Sequence, residues 1–295
     1  MATAPFRCGA IALIGRPNVG KSTLQNALLG QKLSITSRKP QTTRLALRGI
    51  LTTKTAQFIL VDTPGFQSRY RGGLNRAMNR AVRAGLEGVD VVALVVEAGR
   101  FGAADRAVLN LAPHGAALFL VVNKIDAIEP GRLPAFLQKA AGEADFDEIV
   151  PVSARRRKGV DELLRTFERH LPEQPAIHPA DELTDRNERF LAAEFIREKL
   201  FRHLGEELPY GAHVEIDKYE EERGVRRIYA SIVVEKEGHK AIVIGTGGSK
   251  LKTIATEARR DIEKLFGGKV YLETWVRVRG GWTDDESALR RMGYG

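Results

Sequence analysis

A doubly wound α/β domain with a mostly parallel sheet, followed by a smaller α+β domain, is the fold this chain predicts, on three observations. Short, nearly continuous apolar runs alternate with helix-periodic segments over the first ~170 residues. A loop of the form G-x-x-x-x-G-K-S, Gly15 to Ser22, joins the first apolar run to a helix start. A proline-rich stretch, Leu171 to Pro179, then breaks the pattern, and a fresh alternation of helix and strand begins beyond it.

The elements follow in order. Ala10–Ile14 reads as the first strand and Thr23–Leu29 as the helix it feeds. Leu45–Leu51 and Ala56–Val61 are strand candidates separated by the polar Thr52-Thr-Lys-Thr55. Val89–Val96 and Ala117–Val122 are apolar on both faces, as central parallel strands are, and Glu148–Val152 supplies one more. Helical periodicity fills Leu74–Leu86, Ala104–Leu111, Arg132–Ala141 and Val160–Leu171. Beyond the prolines, Thr184 to Glu188 offers helix-start chemistry for the run Phe190–Leu204. Val214–Tyr219 and Arg227–Val234 alternate across a turn at Glu222-Arg-Gly224. Ala241–Ile244 fits a strand or a single helical turn. Lys250–Phe266 is strongly helical, Gly267-Gly268 ends it, and Lys269–Val278 alternates as a strand. Thr283-Asp-Asp-Glu286 reads as a capping box for a short last helix.

Composition sets the class. The chain has 295 residues, 43% apolar and 28% charged, which is ordinary for a globular protein with room for two cores. Its net charge of +9 favours a polyanionic partner. The excess is uneven: 25 Lys+Arg against 15 Asp+Glu up to Pro175, 10 against 15 from Ala176 to Glu237, and 11 against 7 from Gly238 onward. A single cysteine, Cys8, lies in the first apolar run and permits no internal disulfide, as expected in a reducing compartment. With no signal-peptide pattern and no apolar run near the ~20 residues of a membrane span, a cytoplasmic protein is expected.

Chemistry concentrates in the first domain. In the α/β P-loop NTPase arrangement, the glycines Gly15 and Gly20 let backbone N–H groups face phosphate oxygens at a helix N-terminus. Lys21 reaches the β/γ-phosphates and the Ser22 hydroxyl suits Mg²⁺. Asp62-Thr63-Pro64-Gly65 ends a strand, which places a carboxylate near the metal and the Gly65 N–H near the γ-phosphate. Asn123-Lys124-Ile-Asp126 ends another strand. An aspartate there accepts from both N–H groups on the guanine edge, which selects GTP over ATP, since adenine lacks that donor pair. Ser153-Ala154 after the last strand would face the guanine O6. Val19, Thr23 and Phe66 complete the expected contacts. The polar stretch Ile35–Arg44 reads as a loop in which a threonine, Thr42 or Thr43, completes the Mg²⁺ shell when GTP is bound. Phe66 follows Gly65 where Ras-like GTPases carry the glutamine that orients the attacking water, so slow intrinsic hydrolysis is expected. Asn18 occupies a loop position that serves K⁺ in some GTPases, and an ordinary polar loop residue explains it equally well.

In the second domain, Gly245-Thr246-Gly247-Gly248 lies between an apolar segment and the basic helix start Ser249-Lys250-Leu-Lys252. Such a GXXG loop clamps about four nucleotides in KH modules. Arg155 to Lys158 fits RNA contact and a solvated loop alike. Trp275 fits its strand's alternation as a core residue, whereas Trp282 is open to either reading.

End to end, the chain resembles the Era family of bacterial GTPases. The motifs that carry the likeness are Gly15–Ser22, Ser37-Arg-Lys-Pro-Gln-Thr-Thr-Arg44, Asp62–Gly65, Asn123–Asp126, Ser153-Ala154, Leu208-Pro-Tyr210, Val243–Lys252, and the tail Gly281-Trp-Thr-Asp-Asp-Glu286 with Leu289-Arg. The resemblance implies a G domain over 1–173, a linker over 174–183, a type II KH domain over 184–283 with Ala241–Ile244 helical, and a tail over 284–295. It implies Lys21, Thr43 and Gly65 as catalytic groups, GTP/GDP and Mg²⁺ as cofactors, and Thr43 rather than Thr42 on the metal beside Ser22 and Asp62. It further implies a monomer that binds small-subunit ribosomal RNA near its 3′ end and acts in maturation of the small ribosomal subunit, with peripheral contact to the inner membrane. RNA would be held by Gly245, Thr246, Gly247, Gly248, Lys250 and Lys252. Two other readings stay open: a GTPase for tRNA modification or membrane-linked signalling whose C-terminal domain binds protein, and a binding module in which GTP is structural.

Overall fold

The computed structural model of this chain describes residues 5–67, 72–205 and 208–294. The ends of the G-domain and tail expectations, 1–4 and 295, fall outside them. Two compact units emerge: one comprises 5–34, 43–67 and 78–185, the other 35–42, 72–77 and 186–294.

The first unit is built on a six-stranded sheet in the order β2-β3-β1-β4-β5-β6. Its strands are β1 (Arg7–Ile14), β2 (Leu47–Thr52), β3 (Ala56–Asp62), β4 (Val91–Glu97), β5 (Ala117–Asn123) and β6 (Glu148–Pro151). Only β2 runs antiparallel, against β3. That mixture follows from the connections: helices cross over between parallel strands, while β2 and β3 join through the short turn in which Thr53 Oγ1 accepts from Ala56 N (2.9 Å). β3 and β4 are buried almost throughout, so their apolar runs do not alternate. The helices are α1 (Lys21–Leu29), α2 (Gly73–Ala84), α3 (Ala103–Leu109), α4 (Leu133–Ala141) and α5 (Val160–His170). On α5 the residues Val160, Leu163 and Phe167 face inward, and Phe167 stacks on Phe119 of β5 with ring centroids 5.3 Å apart. Acidic residues start α5 and basic ones end it, matching its dipole.

The proline-rich stretch is strapped along this unit. Buried Gln57 is the buckle: its Oε1 accepts from Ile177 N (2.8 Å) and His178 N (2.9 Å), and its Nε2 donates to His178 O (2.8 Å). Leu183 O accepts from Ile50 N at 2.7 Å. Cys8 is fully buried and touches the same carboxamide, and burial pushes its thiol up.

The second unit holds α6 (Glu188–His203), β7 (Ala212–Glu222), β8 (Val225–Val234), α7 (Glu237–Ile244), α8 (Ser249–Phe266), β9 (Lys269–Val278) and α9 (Glu286–Arg291). β7 pairs antiparallel with β8, and β8 pairs parallel with β9. A two-residue turn, Arg223 and Gly224 both at positive φ, closes the β7–β8 hairpin with the twist such hairpins need. Leu200, Ala230, Ile232, Val243, Ile254 and Ala258 form the heart of its core. Ala241–Ile244 is helical, the end of α7.

Two expectations need correction. Trp275 does not join the core: its neighbour Val276 does, and strand alternation puts Trp275 on the opposite face, under the Arg277 guanidinium at 5.5 Å. The cap of α9 is Asp285, which accepts from Ser287 N and Ala288 N, rather than Thr283. Trp282 is buried, its Nε1 donating to Gly211 O at 3.3 Å. No helix among the described residues is long and apolar enough to cross a membrane.

Replacing Gln57 with Leu strands the backbone groups of Ile177 and His178 together. Urea unfolding is expected to show the first unit weakened by about 2 kcal/mol; unchanged stability would show the strap to be incidental.

Candidate functional site

The predicted nucleotide residues gather at the C-terminal ends of β1, β3 and β5, where open α/β sheets bind ligands. α1 begins at Lys21 with no side-chain cap and no acidic residue in its first turn, so its N–H groups are left for an anion. Gly20 precedes it at φ 102°, a conformation few side chains tolerate, and a Cβ there would sit 2.4 Å from Asn123 Nδ2. That amide donates to Val19 O at 2.9 Å and so ties the loop to β5. Gly65 lies against the loop from the other side; a Cβ on it would come within 2.7 Å of Pro17 N. Asn18 also has positive φ (64°) and is exposed.

Lys21 is buried, and its Nζ donates to Gly15 O (3.0 Å) and Arg16 O (3.1 Å). Burial pushes its ammonium down to about 8, against the pull of the Asp62 charge. Asp62 is fully buried at the end of β3. Its Oδ2 accepts from Ser22 Oγ (2.6 Å) and Thr43 Oγ1 (3.2 Å), and those two hydroxyls lie 2.8 Å apart. Burial raises the Asp62 pKa, while Lys21 and the Ser22, Thr43 and Ser34 hydroxyls favour its charged form. Although Ser34 is near, Asp62 Oδ1 makes no hydrogen bond among the described residues. The structure thus brings together Ser22, Thr43 and Asp62, and Thr42 points elsewhere, its hydroxyl donating to Lys39 O at 2.8 Å. Thr63 is structural at its side chain, where Oγ1 donates to Leu13 O at 2.8 Å. Pro64 is buried beside it, Thr23 sits in the first turn of α1, and Phe66 packs against the apolar cluster around β4.

At the base end, Asn123 Oδ1 accepts from Lys124 N (2.8 Å) and Ala154 N (3.0 Å), joining the loops after β5 and β6. Asp126 is exposed, its Oδ1 accepts from Ser153 Oγ (2.6 Å), and that bond holds its carboxyl below the usual range. Lys124 has φ 64° and reaches Glu97 at 3.2 Å.

In the second unit Gly245, Gly247 and Gly248 all take positive φ, and α8 starts directly after them. Thr246 and Gly247 are exposed, Lys252 is exposed one turn on, and Lys250 packs its Cβ against Gly245. The six candidates form one loop-and-helix-start surface.

The second unit also contains two segments that the sequence places near the nucleotide motifs. In Ile35–Thr42, Thr36 N donates to Glu198 of α6 at 2.8 Å, and Lys39 Nζ donates to Leu204 O and to Gly205 O (3.1 Å). At the start of α2, Gly73 N donates to Asp284 Oδ1 (2.8 Å) and Leu74 N to Thr283 O (2.9 Å). Glu198 is fully buried and also meets Arg202 (2.9 Å) and Lys199 (3.1 Å). Sequence reasoning missed Glu198 and Asp284 as anchors, because each sits where a helix or a cap already accounts for it.

Together the two units define a P-loop GTPase that carries a KH domain. Residues 10–124 match the family described as "50S ribosome-binding GTPase", and residues 207–283 match "KH domain". GTPase Era of Nitrosomonas eutropha is 52% identical over 295 residues, covering 100% of both chains, and that of Stenotrophomonas maltophilia is 53% identical over 292 residues, 98% of each. The fold is similar to an Aquifex aeolicus Era variant bound to GDP and AlF4⁻, with TM-score 0.94, 34% identity, and coverage of 98% of this chain and 100% of that one. It is equally similar (TM-score 0.94, 35% identity, 98% and 99% covered) to Era in complex with MgGDPNP and nucleotides 1506–1542 of 16S ribosomal RNA. The chain belongs to the Era family of GTPases.

Gly20→Ala forces a methyl into the Asn123 amide. GDP affinity is expected to drop at least 100-fold with the fold retained, by isothermal titration and circular dichroism; affinity within threefold of the parent would show that the loop accommodates it.

Proposed function

We propose that this GTPase is a guanine-nucleotide switch that binds small-subunit ribosomal RNA through its second unit and serves in assembly and maturation of that subunit. The observation that carries the reading is one of chain continuity. The segment Ile35–Thr42, held by Glu198 beside the KH fold, runs directly into Thr43 at the nucleotide site. The G-domain family's description refers to the 50S particle, whereas a relative matching almost end to end carries 16S RNA, so the small subunit is favoured. The division of labour is a G domain over 1–173, a linker over 174–183, a KH domain over 184–283 and a tail over 284–295. The working protein is a monomer of the cytoplasm that touches the inner membrane only peripherally.

Ser22, Thr43 and Asp62 fit Mg²⁺, because they present hard oxygens around a buried carboxylate atom with no hydrogen-bond donor among the described residues. When bound, the ion neutralises charge on the β- and γ-phosphates. Gly15 to Thr23 cradle the phosphates, and Lys21 exchanges its two carbonyl contacts for phosphate oxygens. Thr43 and Gly65 grip the γ-phosphate end, and its loss on hydrolysis releases both segments. Asp126 accepts the guanine N–H pair, while Asn123, Lys124, Ser153 and Ala154 frame the base. Gly245 to Gly248, with Lys250 and Lys252, hold the RNA backbone by close approach and charge.

Phe66 offers no polar atom to a water, so single-turnover hydrolysis by the isolated chain is expected far below the 5–20 s⁻¹ scale of GAP-stimulated enzymes, about 10⁻³ s⁻¹ or less. We assign Asn18 to a K⁺ site at the phosphates, so the rate is expected to be higher in KCl than in NaCl. A fast rate in isolation would contradict the Phe66 account, and equal rates in the two salts the K⁺ account.

The RNA reading is tested by crosslinking to the small ribosomal subunit. Gly247→Asp with Gly248→Asp is expected to abolish crosslinks while leaving GDP affinity intact. Undiminished crosslinks in that variant, or none with the parent chain, would overturn it.

A further inference from the structure

We propose that the outward face of α8 is a second RNA-binding surface, a basic track that takes the strand onward from the Gly245–Gly248 loop. This rests on the RNA reading above and adds an address to it: Arg260 and Lys264, with Lys252 at the track's head.

The helix sorts its residues by face. Ile254, Ala258 and Ile262 recur every four residues and are buried, the first two in the core cluster of the second unit. Lys252, Arg260 and Lys264 are exposed on the side away from them. From Lys252 to Lys264 the axis rises about 18 Å, several nucleotides of extended strand. A GXXG loop grips about four nucleotides, so a longer RNA has to run over some other surface on leaving it.

The acidic residues of the same helix do not oppose this track, because each is drawn aside. Glu257 Oε2 meets His203 Nε2 at 2.9 Å, and Asp261 pairs with Lys199, both on α6. Glu263 accepts from Arg259 (2.9 Å) and from Val270 N at the start of β9 (3.2 Å). Lys252, Arg260 and Lys264 have no carboxylate partner among the described residues. Arg260 and Lys264 stand one turn apart, where like charges repel on a free helix. A phosphate lying between them converts that repulsion into attraction.

The contrast with the open sheet face sharpens the choice. There Lys218, Arg227 and Arg277 each meet a carboxylate, of Glu220 (2.8 Å), Glu222 (2.8 Å) and Asp217 (3.5 Å). That face is locally neutral, so the polyanion follows α8.

The test uses the full chain and two RNAs: the segment 1506–1542 of 16S ribosomal RNA found with the relative, and a single strand of about six nucleotides from its 3′ end, enough for the loop alone. Arg260→Gln with Lys264→Gln is expected to weaken the long RNA roughly tenfold at 0.1 M salt and to lower the slope of log affinity against log salt by about 1.4. Binding of the short strand should stay within twofold. Arg260→Glu with Lys264→Glu should deepen the loss, and a matching thermal melt confirms that both variants fold. Unchanged long-RNA affinity and slope, or an equal loss for both RNAs, would overturn the α8 track and leave the loop reading standing. Failure of the parent chain to bind either RNA would overturn the RNA reading and this inference with it.

Discussion

The carboxylate of Asp62 lies wholly inside the first unit, at the end of a strand, with one oxygen hydrogen-bonded to two hydroxyls and the other to none of the described residues. Burying a charge this way is costly unless it is met by opposite charge. Lys21, itself buried and pushed down to about 8, still carries its proton near neutral pH and supplies part of that compensation. A divalent ion against the vacant lone pairs would supply the rest. Ser22 and Thr43 gather around the same group, one from the P-loop helix and one from the end of a distant loop. Around the P-loop, Gly20 and Gly65 permit close approaches, to Asn123 and to Pro17, that a Cβ would block.

Thr43 is also where the chain passes from the second unit back into the first. The eight residues before it belong by packing to the second unit, where Thr36 donates to a fully buried glutamate. Glu198 is held in turn by Lys199 and Arg202, and Lys199 by Asp261 of α8. Removing one member of such a buried ionic cluster leaves another charge without compensation, so the arrangement resists half-measures. A segment anchored that firmly at one end, and continuous at the other with a residue proposed to meet the nucleotide's metal ion, is suited to two-state behaviour. The start of α2, after the Asp62–Gly65 motif, has a comparable hold on Thr283 and Asp284.

Much of this was legible in the residues themselves. The central strands were visible because burial on both faces leaves an unbroken apolar run, as in Val91–Val96, and the P-loop was visible because phosphate chemistry tolerates few alternatives. β9 is read to the residue, since a half-buried strand alternates. What escaped detection has a common physical character. Gln57 holds a strap through side-chain-to-backbone bonds across some 120 residues, and no local pattern records such a partner. Asp285 caps α9 where Thr283 was expected, because Thr283 is occupied by Glu235 and its carbonyl by Leu74. Trp275 was misplaced because the alternation along β9 was read with it on the core side, whereas it shares parity with Arg277 and its neighbour Val276 is the core residue. Glu198 looks in sequence like one more charge on a charged helix; its importance arises only from what packs over it.

The central claim is that nucleotide state, sensed at Asp62 and Thr43, is felt by the RNA-binding unit. The most direct measurement is the affinity of the full chain for small-subunit ribosomal RNA with GDP, with a non-hydrolysable GTP analogue and with no nucleotide. Coupling of the ordinary size for allosteric proteins predicts affinities that differ by about 5- to 150-fold between the GDP and GTP-analogue states. Identical affinities in all three conditions would contradict it and leave the nucleotide a purely structural part.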